Sequence, residues 1–144
     1  MTHSSISDSD IGVYSYDMAA TAPTTPNATV SNDTLTGDRY EAVALDQGST
    51  VVDNDTISGG NVGIQVLQYD GQAYGITGVV RNDTVSGMAV AACQIHSDDT
   101  AGDVSGSLSI IKSKISGNPG SITGSVDDES PSFARYLVTL KQDT

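Results

Sequence analysis

The sequence predicts an all-β solenoid of about five short coils. Two observations predict it: a phrase that returns through the chain, and a composition suited to turns and strands. The phrase is clearest in Val52–Val66, VDNDTISGGNVGIQV, and it returns as VSNDTLTG at Val30–Gly37 and VRNDTVSG at Val80–Gly87. Aligned on the aliphatic residue after the turn, the coils are marked by Ile6, Leu35, Ile57, Val85 and Ile115, spaced by 29, 22, 28 and 30 residues. Such periods are the mark of repeat architectures, in which each unit buries its apolar side only by stacking on its neighbours.

The composition agrees. The net charge of −12 comes from 16 Asp and 2 Glu against six Lys and Arg, and Gly, Ser, Thr and Asn are abundant. Asp over Glu with many small polar residues favours turns and strands over helix. Hydrophobic residues make up 37% and aromatics 5%, with no Trp and a single Phe133. That suits a narrow core of Val, Ile, Leu and Ala. The acidity argues against nucleic acid and against anionic membrane, both of which call for Lys and Arg. It is compatible with neutral sugars, cations or basic partners. Cys93 alone excludes an internal disulfide and is read as a small core residue within Val90-Ala-Ala-Cys93. Met1–Asp10 shows neither a basic nor an apolar signal region, so no secretory signal is expected there.

Each coil decomposes in the same way. Val30, Val52, Val80 and Ile110 lie five positions before the marker, with Met1 in that place for the first coil. Ser or Thr follows the marker every time, and then Gly37, Gly59, Gly87 or Gly117, with Asp8 as the exception. A second alternating strand begins at Ile11-Gly-Val13, Tyr40-Glu-Ala42, Val62-Gly-Ile64 and Val90-Ala-Ala92. Two or three strands of about 4–6 residues per coil fit between the Gly and Asn/Asp turn signals.

The phrase V-x-N-D-T-I-S-G followed by G-I-x-V resembles the right-handed parallel β-helix repeats of the pectin-lyase-like superfamily. The resemblance covers Met1 to about Val126 and implies a right-handed parallel β-helix over residues 1–126. A loop and a terminal strand or cap are expected over 127–144. It also implies an asparagine ladder through Asn32, Asn54 and Asn82, with His3 and Lys112 in its place at the two ends. Asn tolerates the left-handed turn, and its amide donates to one neighbour while accepting from the other. These Asn, and Asn27, are also glycosylation sequons, but the ladder accounts for three of the four.

Asp33, Asp55 and Asp83 follow the ladder residues, one per coil. Stacked carboxylates repel by about 1 kcal/mol per pair in water, so they are expected to fan into solvent; a Ca²⁺ among them is the alternative. No cofactor is otherwise expected. Arg81 and Asp53, and Arg39 and Asp10, fall one coil apart at matching positions, which predicts cross-coil ion pairs.

Function is sought where coils depart from the pattern. The 22-residue coil from Leu35 is minimal, and the extra length of the others falls at one corner: Ser15–Ala28, Leu67–Gly78 and about Ile95–Ser107. Insertions at one corner of a solenoid crowd onto one side, often the binding side. They bring Tyr16, Asp17, Tyr69, Asp70, Tyr74, His96, Asp98 and Asp99 as candidate ligand-binding residues. Tyr stacks on sugar faces and Asp accepts from hydroxyls, so the leading expectation is noncatalytic polysaccharide binding. A structural or adhesive solenoid is the alternative, and a polysaccharide lyase or glycosidase the third reading. Against catalysis, the Gly-His-Gly and Arg-Ile-Lys motifs of the glycosidase branch and the Asp-Pro-His-Asp of the epimerase branch are missing. The outward Ser and Thr flanking each marker, such as Thr34/Thr36 and Thr56/Ser58, resemble the Thr-x-Thr arrays of β-helical ice-binding proteins. Ser and Lys114 in those files break a regular methyl lattice. Because Met1 falls inside a coil, self-association or additional coils at the N-terminal end are also expected.

Overall fold

The structure is a computed structural model that describes residues 1–16, 26, 28–46, 48–69, 77–98, 105–117, 120–126 and 135–141. Among these it contains fifteen strands and no helix. They are β1 (Ser5–Ser7), β2 (Ile11–Ser15), β3 (Ala28–Ser31), β4 (Thr34–Thr36), β5 (Glu41–Leu45), β6 (Ser49–Asp53), β7 (Thr56–Ser58) and β8 (Val62–Tyr69). They continue with β9 (Thr77–Arg81), β10 (Thr84–Ser86), β11 (Ala91–Asp98), β12 (Ser105–Ile111), β13 (Lys114–Ser116), β14 (Gly120–Val126) and β15 (Arg135–Lys141).

Every third strand pairs, in parallel, with the equivalent strand of the next coil. The result is three five-stranded sheets, ordered β1-β4-β7-β10-β13, β2-β5-β8-β11-β14 and β3-β6-β9-β12-β15. The protein is thus a parallel β-helix of several coils, three strands to a coil. The register is the one the repeat predicts: Ile6, Leu35, Ile57, Val85 and Ile115 stand in one file. Val30, Val52, Val80 and Ile110 stand in a second, and Val13, Val43, Ile64 and Cys93 in a third. Leu35, Val43, Val52, Ile57 and Val66 are fully buried. The end residues Ile6 and Ile115 are only partly so, because each has a neighbour on one side. Gly63 shows why small residues open the second strand. A Cβ there would come within 2.6 Å of the Ala92 carbonyl oxygen and 2.7 Å of Val85 Cγ1.

The corner between the third strand of one coil and the first of the next sets the backbone path. His3, Asn32, Asn54, Asn82 and Lys112 all have φ between 52° and 62°, the left-handed region that Asn enters more readily than most residues. The amide ladder forms in part. Asn54 Nδ2 donates to Asn32 Oδ1 at 2.7 Å, but Asn82 Nδ2 turns to Asp53 Oδ1 at 2.9 Å instead of Asn54. Both expected ion pairs form. Arg81 Nη2 lies 2.8 Å from Asp53 Oδ2, and Arg39 Nη1 lies 3.7 Å from Asp10 Oδ1 with both side chains well exposed. The Arg81 guanidinium and the Asn82 amide hold the Asp53 carboxyl below its ordinary pKa.

The expectation for Asp33, Asp55 and Asp83 is corrected. They do not fan into solvent; they are 2%, 2% and 1% exposed. Backbone N–H groups draw them in. Asp33 Oδ1 accepts from Ser4 N at 2.6 Å, Asp55 Oδ1 from Asp33 N at 2.6 Å and Asp83 Oδ1 from Asp55 N at 2.7 Å. The second oxygens of Asp33 and Asp55 accept from Ser31 N and Asp53 N, two residues upstream. In the last coil Ser113 stands in for Asp: its Oγ accepts the Asp83 N–H at 3.3 Å and donates to Ile111 O at 3.2 Å. Each carboxylate thus ties the corner of its own coil to that of the coil before. Among the described residues no group of three or more His, Cys, Asp or Glu is arranged to hold a metal ion.

Burial has an electrostatic cost. Asp83 Oδ2 has no hydrogen-bond partner, and burial, with the neighbouring Asp55 and Asp53 charges, pushes the Asp83 pKa from 3.8 up to about 7. Burial first, and the charges of Asp33 and Asp53 after it, also raise Asp55. Asp38, 1% exposed, is raised likewise by burial, with one oxygen accepting from Ser9 N at 3.1 Å and the other unpartnered.

Two predictions follow from this file of carboxylates. Asp55→Ala leaves the buried Asp33 amide and the part-buried Asp53 amide without acceptors and should lower unfolding free energy by about 1–3 kcal/mol, measured by urea denaturation. Asp83 tests the charge alone. A folded-state pKa raised above the unfolded one contributes stability that is full below the unfolded pKa and lost as pH rises through the folded one. Stability should therefore fall as pH rises from 3.8 to about 7. In Asp83→Asn, which keeps an acceptor for the Asp55 N–H, that fall should be shallower.

Candidate functional site

The corner between the second and third strands carries the irregular length, as the coil spacings predict. It runs over residues 16–27 between β2 and β3, 70–76 between β8 and β9, and 99–104 between β11 and β12. Between β5 and β6 the same corner takes only residues 46–48. Asp17, Asp70, Tyr74 and Asp99 lie outside the described residues. Three candidates assigned to loops are instead in strands: Tyr69 ends β8, and His96 and Asp98 lie in β11. The runs Gln65-Val-Leu-Gln-Tyr69 and Gln94-Ile-His-Ser-Asp98 are continuous strand because each pairs with the other in register. His96 stands against Leu67, and Asp98 against Tyr69. The backbone therefore places Tyr69 and Asp98 side by side on adjacent coils, a juxtaposition that the loop assignment did not give.

Tyr16 is the one predicted residue whose side chain is described, and it has a partner. Tyr14, in β2, and Tyr16, just beyond its end, are 52% and 50% exposed. Their ring centroids are 6.5 Å apart with an interplanar angle of 25°, a stacked pair. The Tyr14 hydroxyl donates to Asp46 Oδ2 at 2.5 Å, which anchors the pair to the next coil. Asp46 is itself buried. Tyr14 was legible: in a strand with Val13 turned inward, residue 14 must point out. The loop boundary drawn at Ser15 hid it.

Beside the rings lies an open cavity of about 410 Å³, lined by Met1, Val13, Tyr14, Ser15, Tyr16, Ala28, Thr29 and Val30. Its origin is in the sequence. Ser15 stands in register with Leu45 and, through it, with Val66, while Ala28 is the counterpart of Thr50. At Ser15 the first coil thus puts a small residue where the next two put Leu and Val. Ser15 Oγ and Thr50 Oγ1, 3.2 Å apart, share a hydrogen bond at the cavity floor. The site offers two aromatic faces, hydroxyls and backbone groups of a strand edge. A second aromatic feature, Arg39 over the Tyr40 ring at 5.0 Å, sits on β5's approach and is well exposed.

Cys93 is buried, and burial pushes its thiol pKa up to about 12, so it is no nucleophile. The Ser and Thr files flanking the markers do run in register along the first sheet, with Lys114 in place of the hydroxyl in the last coil.

Comparison of the chain with protein-family models, curated proteins and solved structures finds no match.

Proposed function

We propose that this protein is a noncatalytic glycan-binding β-helix, akin to the pectin-lyase-like coils its repeat resembles, and that it engages neutral sugar at the corner after the second strand. The observation that carries this reading is the exposed, stacked Tyr14–Tyr16 pair bordering an open cavity. Pyranose rings present apolar C–H faces to aromatic side chains, and two Tyr provide that surface at little rotamer cost. The ring of Tyr14 is held by its bond to Asp46, so little ordering is left for binding. Tyr69 and Asp98, adjacent in register two and three coils further on, extend the same corner along the solenoid axis. A chain of net charge −12 favours neutral over acidic polymers.

A structural or adhesive solenoid is the second reading, favoured by the register that runs through all three sheets.

Binding to a panel of neutral and acidic polysaccharides separates the two. Neutral glycan should bind, and affinity should drop roughly tenfold or more in Tyr14→Ala/Tyr16→Ala. A smaller loss is expected in Tyr69→Ala/Tyr74→Ala. Absence of binding by the unaltered chain would refute the reading, and release of cleaved product would replace it with an enzymatic one.

A further inference from the structure

We propose that Asp83 is a proton-operated switch in the corner file. Protonated, it lies inside and ties the fourth coil to the third; ionised, it turns out to Lys112 and Lys114 of the fifth coil.

The inward position of Asp83 is poorer for a charge than that of either counterpart. Asp83 is 1% exposed, and its Oδ1 accepts the Asp55 N–H at 2.7 Å. Asp33 and Asp55 each satisfy their second oxygen with an amide two residues upstream, Ser31 N at 3.1 Å and Asp53 N at 3.2 Å. Asp83 Oδ2 has no such partner. A buried carboxylate with an unmet oxygen is costly to ionise. The charged neighbours on the third coil add to that cost, because Asp53 and Asp55 both face it as like charges. On its own coil the nearby cation is Arg81, whose guanidinium is held by Asp53 at 2.8 Å.

The fifth coil offers the alternative. Arg81 stands in register with Ile111, and Thr84 with Lys114. Ser113 is therefore the counterpart of Asp83, with Lys112 and Lys114 on either side of it along the chain, both exposed. For Asp33 the matching places in the next coil hold Asn54 and Thr56, and for Asp55 they hold Asn82 and Thr84. Of the three acids, Asp83 alone has cations there. The acid least able to hold a charge inside is thus the one with two ammonium groups outside to receive it. Two places for one side chain, each favoured by a different protonation state, make a bistable element.

Burial first, and the Asp55 and Asp53 charges after it, keep Asp83 protonated below about 7. As pH rises through that value the inward position loses its advantage, and a change of side-chain rotamer carries the carboxylate to the lysines. The Asp55 N–H then loses its acceptor. A bond between the third and fourth coils is given up, and an ion pair between the fourth and fifth replaces it.

The test is amide NMR of the 144-residue chain at pH values on both sides of about 7. As Asp83 ionises, the Asp55 amide proton should move upfield and its protection from hydrogen exchange should fall roughly tenfold. The Asp33 amide, whose acceptor is Asp55, should keep its shift and protection. Ionisation without movement gives the opposite result, because a charged acceptor strengthens the Asp55 bond and moves its proton downfield. Asp83→Asn should abolish the Asp55 response. Should that variant not fold, the surface change Lys112→Ala/Lys114→Ala removes the outward partners and should move the midpoint of the Asp55 response to higher pH. A downfield shift or a gain in protection at Asp55 overturns the proposal, as does an Asp55 amide that does not respond to pH or a midpoint indifferent to the loss of both lysines.

Discussion

The buried carboxylates of Asp33, Asp55 and Asp83 are the constraint on which the coils depend. Each takes the N–H of its counterpart one coil back and, in Asp33 and Asp55, an amide two residues upstream. The corner backbone is forced through the left-handed region at Asn32, Asn54 and Asn82, a path that removes these amides from regular sheet pairing. A buried amide without a partner costs about as much as a hydrogen bond is worth several times over. The acid supplies the acceptor. The cost is three carboxylates in one dry file, which is why Asp83 is shifted so far upward and why Ser, neutral and smaller, ends the file at Ser4 and Ser113.

From that corner outward the geometry follows. A coil whose turns are fixed presents Leu35, Ile57 and Val85 to the core at the same depth, and the parallel register of all three sheets is the result. Irregularity is then confined to one place, the corner after the second strand. The first coil combines it with small inward residues, Ser15 and Ala28, and so carries an open cavity flanked by Tyr14 and Tyr16.

Much of this was legible in the order of residues. The recurring aliphatic, the Asn three before it in the corner and the Gly after it gave coil number, register and the left-handed positions, including those taken by His3 and Lys112. The cross-coil pairing of Arg81 with Asp53 was legible too, since matching positions in a parallel stack are neighbours. The fate of the ladder acids was not. Asp after Asn is the common composition of a solvated turn, and nothing in the residue type reveals that its amide neighbours are stranded. The long strands β8 and β11 were hidden because Leu67–Tyr69 and Ile95–Asp98 hold polar residues that alone read as loop; only their mutual pairing makes them strand. Of the candidate site, Tyr16 was singled out by its place in a long corner, and Tyr14 lay one residue outside the boundary drawn at Ser15.

Site-resolved titration of the Asp side-chain carboxyl carbons by NMR tests the central claim most directly. If the file of acids is buried and held by backbone amides, Asp83 titrates with a midpoint of about 7, while Asp53, bonded to Arg81, titrates below its ordinary 3.8. A spectrum in which Asp83 titrates near 3.8 would contradict the account.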